Sequence, residues 1–482
     1  MEITISPDRR AGVYVHPVYT GESFEFPLGE ERRKSGTVTW FHPRAAGESE
    51  VLVVGMGGRG ASSLETVRRA GGLSARTLLR EGRSCAELVR PITAGGGDKE
   101  DAAAWLQAWT EGWLLGLYRF DKYKETAKAP GGVRLNVTPE EWPELSVPEL
   151  ESAVENARIR AGGTALARDL VNEPPEVLHP NALVESVISH FHSMPVRIHV
   201  YRGPELAAHQ MNGLLAVGSG SPHDPALIEI RYEGDPSLPM LALVGKGITF
   251  DMGGMNVKTG RDISDARMDM GGAAAVAGAM DILVRQRRRV NVTALIAVAD
   301  NLPDANAMLP SSVIRYPNGL TVQVANTDGE GRLILADALL HAARIGAAEA
   351  IDIATLTGNV GQALGLGIAG LWGDAEMSRM LVEIGERSGE RLWPMPLMEE
   401  YESELHSDYA DLRNVGTSTL AGAITAALFI RRFVAEPMRW VHIDMAGTVQ
   451  YKQDVGYSEK GATGYGARLL ADYAASHFGN KE

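Results

Sequence analysis

The sequence predicts an α/β fold: a small N-terminal α/β domain plus a larger C-terminal α/β domain around a central, mostly parallel sheet. Three observations predict it. Short apolar runs alternate with helical spacing along most of the 482 residues, the pattern of a sheet covered by helices. A stretch dense in breakers, Thr126 to Pro148, interrupts that alternation and divides the chain. The 54 glycines form no low-complexity tract, so they belong to turns and close packing. The expected parts are residues 1–148, a connecting helix at 149–175, and 176–482.

In chain order, Val51 to Val54 reads as a buried strand, followed by glycines and a helix from Ser62 to Leu79. A second helix is expected from Lys99 to Tyr118. Glu149 to Leu170 has helical spacing and stops near Pro174 and Pro175. Beyond it, Met240 to Val244, Thr293 to Val298, Ala348 to Ala354 and Trp440 to Met445 are expected central strands. Helices are expected at Gly271 to Val284, Leu333 to Arg344 and Ala421 to Phe433. In such sheets sites form at the carboxyl ends of strands.

Charge and cysteine usage narrow the function. A net charge of −14 repels phosphate backbones and anionic lipid, which argues against nucleic acid or membrane partners. Cys85 is the only cysteine, so no intramolecular disulfide and no thiolate metal cluster can form. The first residues, Met1 to Ser6, lack the basic start and apolar core of a signal peptide, and no apolar stretch reaches spanning length. A cytoplasmic location is expected.

Four segments carry the chemistry. The first, Leu243 to Gly254, sets Lys246 inside an apolar run and ends with Asp251, with Lys258 a little further on. A lysine so placed needs a partner, because an unpaired buried ammonium is costly. In the second, Asp269 opens a helix of very small residues. The third is Asn326-Thr327-Asp328-Gly329-Glu330-Gly331-Arg332-Leu333; an extended chain here would project Asp328, Glu330 and Arg332 to one face. The fourth is Ala354 to Asn359, at another strand end.

Each feature alone has a plainer reading. An Asp after a strand is usually a cap or turn residue, Asp-Gly-Glu-Gly a solvated turn, and Lys258 a surface residue. Their recurrence at successive strand ends of one sheet is what changes the reading. Asp251, Asp269, Asp328 and Glu330 would gather four negative charges, and such a cluster takes up protons or binds cations. Two divalent ions would neutralise it, and Lys246, if deprotonated, would add a nitrogen ligand. Carboxylates plus one amine suit Zn²⁺, Mn²⁺ or Mg²⁺. Two ions would share a water and lower its pKa. Lys258 is then placed to stabilise an oxyanion, and Arg332 to hold an anion that relays protons. The chain has no His-Glu-x-x-His, which excludes a thermolysin-like site.

Two other readings compete. Gly55 to Gly60 fits Gly-x-Gly-x-x-Gly after a strand and before a helix, with Glu81 about 20 residues on, as a dinucleotide site asks. A two-metal phosphatase would use a similar carboxylate site, although His179, His190, His192 and His223 fall outside the acidic motifs.

Asn326 to Leu333 is similar to the Asn-Thr-Asp-Ala-Glu-Gly-Arg-Leu signature of the leucyl aminopeptidase (cytosol aminopeptidase) family. The resemblance runs from about Ala165 to the C-terminus and includes Val244 to Asp251, Asp269 to Ala274, Ala354 to Gly358, Ala421 to Ala423 and His442 to Gly447. It implies a metal-dependent aminopeptidase acting on peptide substrates, with residues 176–482 as the catalytic domain. By the same resemblance Asp251 and Glu330 bridge two metals, Asp328 completes one site, and Lys246 and Asp269 complete the other. Lys258 and Arg332 fall on the catalytic positions, Arg332 holding a bicarbonate as general base. Thr355, Leu356, Gly358 and Ala446 match positions near the substrate. The resemblance further implies a homohexamer. Some relatives bind DNA, which the acidic balance here argues against.

Four positions depart from the family's pattern. Met252 stands where Ser is usual, Gly329 replaces Ala, Pro310-Ser311-Ser312 replaces Pro-Gly-Asp, and Ala266 occupies a first-pocket position that is often Met. The last implies a roomier first pocket that accepts larger side chains.

Overall fold

The apolar runs in the second half of the chain become strands buried from end to end, because helices cover both faces of their sheet. The computed structural model describes residues 2–7, 12–43, 48–91, 99–125, 132–260 and 262–478. Contacts divide the chain into two units, Met1–Gly162 with Tyr451–Gly461, and Gly163–Gln450 with Ala462–Glu482.

The second unit holds an eight-stranded sheet in the order Leu392–Pro394, Ala369–Gly373, Arg439–Asp444, Glu349–Ala354, Leu241–Asp251, Asn291–Asn301, Ala226–Glu233 and Arg197–Arg202. The four central strands from Arg439–Asp444 to Asn291–Asn301 are mutually parallel. The sheet is therefore mostly parallel at its centre, with antiparallel pairings towards both edges. Strand Leu241–Asp251 runs well beyond the expected Val244, because the Gly245-Lys246-Gly247 segment continues to pair with Asn291–Asn301.

Helix Gly271–Arg285 is buried at every position from Gly271 to Val284. Its run of glycine and alanine explains how it fits. A Cβ on Gly272 would stand 2.0 Å from the Ile353 carbonyl oxygen, so only glycine lets the helix start lie against the sheet. On the other face, helix Gly331–Arg344 contributes Leu333, Ile334, Leu335 and Leu339 to a core shared with Val244 and Leu295.

The first unit has a six-stranded sheet in the order Ile3–Ile5, Arg134–Val137, Cys85–Leu88, Val13–Tyr19, Glu50–Gly57 and Val38–Phe41. The sheet is parallel except at Val38–Phe41. Helices Leu64–Arg80 and Lys99–Gly116 match the two expected there. The breaker-rich stretch differs from expectation. Residues 126–131 lie outside the described residues, but Arg134–Val137 is a sheet strand whose Leu135 and Val137 are buried. Four residues are too few for alternation to stand out between breakers. The helix expected over Glu149 to Leu170 runs Val147–Asn172.

The glycine-rich turn after Glu50–Gly57 does not continue as a dinucleotide fingerprint. A short 3₁₀ turn, Arg59–Ala61, separates the glycines from the helix at Leu64. Glu81 caps that helix at its far end, about 25 Å from the glycines at 1.5 Å per residue. In the fingerprint the acid follows the next strand. Glu87, which lies on that strand, is buried and accepts hydrogen bonds from Asn136 and Thr138.

Candidate active site

At the carboxyl end of the central strands, ten of the expected residues line one cleft of about 260 Å³: Lys246, Asp251, Lys258, Asp269, Asp328, Glu330, Thr355, Leu356, Gly358 and Ala446. Arg332 is not among the lining residues. Asp265, Ala266, Met268, Thr357, Val449 and Gln450 complete the wall.

Strand Leu241–Asp251 brings two of these side chains. Lys246 is buried, and its Nζ lies 2.8 Å from Asp269 and 2.9 Å from Glu330 while donating to the Thr355 carbonyl at 3.0 Å. Room for it comes from Gly331, where a Cβ would meet the lysine Nζ at 2.6 Å. Burial alone would push the Lys246 ammonium towards deprotonation, but Asp269, Glu330 and Asp251 outweigh it and hold the proton more firmly than usual. The neutral amine expected from the sequence thus requires a cation to take over those carboxylates. Asp251 ends the strand. Its Oδ1 accepts from the Gly253 amide at 2.9 Å and from Asn301 at 2.9 Å, and its Oδ2 faces Lys258 at 2.6 Å.

The 3₁₀ turn Ala266–Met270 carries Asp269 to the same cleft, where Oδ1 accepts from the Thr355 hydroxyl at 2.7 Å. Oδ2 meets Lys246 without a hydrogen bond of normal geometry. Asp269 is held well above the usual carboxylate range by burial, against the pull of Lys246. Burial and then the neighbouring Asp251 also raise Asp328 and Glu330. Carboxyls raised together in one pocket form a cluster that favours a proton or a cation.

The Asn326–Arg332 segment is not extended. Asn326 accepts a hydrogen bond from the Asp328 amide at 2.8 Å, which closes a 3₁₀ turn over Thr327–Gly329. Glu330 is helical at φ −71°, ψ −38°, and Gly331 begins the helix. Residues two apart do not share a face in a turn or helix, so the expected alternation fails. The turn itself brings Asp328 and Glu330 to the cleft. Arg332 lies behind the lining residues: buried, it donates from Nη1 to the Asn414 carbonyl at 2.7 Å, and among the described residues its Nε has no hydrogen-bond partner. Burial lowers its pKa to about 10, against Glu330, Asp444 and Asp328.

Three residues with structural roles here were not singled out from the sequence. Asp444 accepts from the Leu356 amide at 3.1 Å, the Thr357 hydroxyl at 2.7 Å and the Ala446 amide at 3.2 Å, tying both substrate-side loops together. Its place at the end of an apolar run was a usable signal. Asn301, also at a strand end, gave the same signal. Asn414 gave none: it follows the two-residue strand Leu412–Arg413, yet its side chain accepts from the Ala325 amide at 2.8 Å and donates to the Asn326 carbonyl at 2.7 Å.

The oxygens of Asp251, Asp328 and Glu330 lie within 4.8 Å of one another. With Asp269 they set four carboxylates against two ammonium groups, Lys246 and Lys258, which leaves two negative charges uncompensated. This donor set fits divalent cations.

The sequence profile of the cytosol aminopeptidase family's catalytic domain matches residues 165–471, and that of its N-terminal domain matches 31–127. The chain belongs to this family. It is a metal-dependent aminopeptidase, a hydrolase that releases N-terminal residues. A probable cytosol aminopeptidase of Geobacter sulfurreducens is 39% identical over 430 residues, covering 88% of this chain and 84% of that one. One from Syntrophotalea carbinolica is 38% identical over 429 residues, with 88% and 85% covered. Among solved structures, the bottromycin maturation enzyme BotP in complex with Mn has a TM-score of 0.87 at 32% identity, covering 97% of this chain and 100% of that one. A mutant tomato leucine aminopeptidase has a TM-score of 0.87 at 28% identity, with 99% and 96% covered. Among the described residues no helix is long and apolar enough to cross a membrane.

Proposed function

We propose that this aminopeptidase works through two divalent ions held between Asp251 and Glu330, with Asp328 completing one site and Lys246 and Asp269 the other. The observation that carries this reading is the convergence of the Asp251, Asp328 and Glu330 oxygens within 4.8 Å. When bound, the ions supply Lewis acidity towards water and the scissile carbonyl. Zn²⁺, Mn²⁺ and Mg²⁺ all suit the donor set, and a related structure contains Mn.

The chain's own residues do the rest. Lys258 keeps its proton beside Asp251 and Asp328 and donates to the oxyanion that develops when water attacks the carbonyl. Arg332 would hold a bicarbonate, which would supply a general base; its Nε, without a hydrogen-bond partner among the described residues, supports an anion there. Thr355, Leu356, Gly358 and Ala446 border the peptide, with the Leu356 and Ala446 amides held by Asp444. Ala266 leaves the first pocket roomier, so larger side chains are accepted. Residues 176–482 act as the catalytic domain, in a homohexamer in the cytoplasm, as the relatives' cytosol names suggest.

The test is metal analysis of the purified protein with aminoacyl-amide assays before and after chelation. Loss of activity on chelation and recovery with Mn²⁺, Zn²⁺ or Mg²⁺ are expected. Full activity in metal-free protein would overturn the reading. Rates on Leu, Phe and Ala amides test the pocket, and a strong Ala preference counts against it.

A further inference from the structure

Asn301 ends the strand beside Leu241–Asp251 and is 2% exposed. The two strands pair in simple parallel register up to Ala299 opposite Ile248. The register then shifts, so that Asn301 lies opposite Asp251 rather than Phe250. Because side chains alternate along a strand, a one-residue shift changes which face a residue presents. Here it brings an amide and a carboxylate together.

The side-chain nitrogen of Asn301 reaches three acceptors: Asp251 Oδ1 at 2.9 Å, the Thr327 carbonyl at 3.1 Å and Glu330 Oε2 at 3.4 Å. Its backbone carbonyl accepts from the amides of Met252 at 3.0 Å and Gly254 at 3.3 Å. The fit is close, since a Cβ on Gly254 would stand 2.6 Å from the Asn301 side-chain oxygen. One residue therefore touches both acids read as bridging ligands, the residue before Asp328, and the loop that leaves Asp251. It is not among the residues lining the cleft.

We propose that Asn301 is a positioning residue for the metal ligands, orienting the Asp251 and Glu330 carboxylates and the Asp328 turn towards the cations. The inference rests on reading Asp251 and Glu330 as ligands. The chemistry of an amide suits this task. A lysine in its place would compete with the cations for the carboxylates, and an aspartate would repel them. A neutral donor engages one oxygen of Asp251 and leaves the other for a cation, adding no charge. Partners of this kind fix ligand orientation in metal sites generally.

The experiment titrates Mn²⁺ calorimetrically into chelator-treated wild type, Asn301→Leu and Asn301→Ser, with thermal melts of the metal-free forms alongside. Asn301→Leu keeps the approximate shape without a donor and should weaken Mn²⁺ binding by about 10- to 100-fold. Asn301→Ser keeps a shorter donor and should weaken it less, and it decides the matter if the leucine variant does not fold. At saturating Mn²⁺ the peptide KM should stay at the wild-type value, because Asn301 does not border the substrate cleft. Folded variants that bind Mn²⁺ as tightly as wild type overturn the inference. Wild type that takes up no divalent ion instead overturns the ligand reading beneath it, and the two failures are distinguishable.

Discussion

The cleft is built from two kinds of backbone. Lys246 and Asp251 lie on a central strand, paired with Asn291–Asn301 along its length and on both sides from Leu241 to Gly245, whereas Asp328 and Glu330 lie on a turn that runs into a helix. The strand holds its acid by direct hydrogen bonding: Asp251 accepts from a backbone amide and from Asn301. The turn is held mainly through its backbone, by Asn326 and Asn414, with Asn301 reaching the Glu330 side chain more distantly at 3.4 Å, while the Asp328 side chain stays 34% exposed. The contrast separates two costs of losing an acid, one to the metal site and one to the fold.

The largest expected effects test that separation. Asp251→Ala and Asp328→Ala should each lose metal and activity together, by about 1,000-fold or more, given the several kcal/mol of charge stabilisation at stake. Only Asp251→Ala should also destabilise the metal-free protein, by about 1–3 kcal/mol, because it leaves the buried Gly253 amide without its acceptor and takes from Asn301 the nearest of its three. Equal losses of stability in denaturant would break the comparison. Lys258→Ala should keep its metal while losing about 100-fold in rate, the scale of one oxyanion donor. Metal loss with the rate per bound ion preserved would reverse the assignment.

The same contrast decides what the sequence made legible. The apolar run and the strand-end rule are enough to single out Lys246 and Asp251, because a strand buried on both faces reads as a continuous apolar run that a lysine interrupts. Applied to Asp328, Glu330 and Arg332, alternation expects one shared face, whereas a turn brings the two acids to the cleft and Arg332 does not line it. The Asn326 side chain closes a turn there, a local hydrogen bond that outweighs the extended form. Arg134–Val137 escaped notice because four residues among breakers carry too little periodicity. Asn414 was invisible for another reason. Its partners lie more than 80 residues away in the chain, and no local pattern encodes a contact at that separation.

Gly329 sharpens the view of the turn. The family signature has alanine here, yet a Cβ on Gly329 would lie 2.6 Å from Val415 Cγ2 and 2.9 Å from the Asn414 amide nitrogen. Val415 and Asn414 occupy the space an alanine methyl would need. Gly329→Ala should therefore cost about 1–3 kcal/mol through overpacking and disturb Asp328 beside it. Val415→Ala should recover much of that loss in a double-mutant cycle. Additive effects of the two changes would show that the turn has room to spare.

The smallest effect concerns Ser311, where the family usually has glycine. Its φ is +74°, a left-handed conformation that costs a side chain of this kind about 1–2 kcal/mol. Ser311→Gly removes that cost but gives the unfolded chain more freedom, worth about 0.5–1 kcal/mol against folding. The net gain should be about 0.5–1 kcal/mol, read as a shift in the denaturant midpoint with activity unchanged. Ser311→Ala is the control, since it loses the hydroxyl but keeps the Cβ. If the alanine variant gains as much as the glycine variant, backbone strain is not the cause, and the exposed hydroxyl is. Gly329 and Ser311 would then differ in kind: the first departure is fitted to its neighbours, and the second is a tolerated strain at the surface.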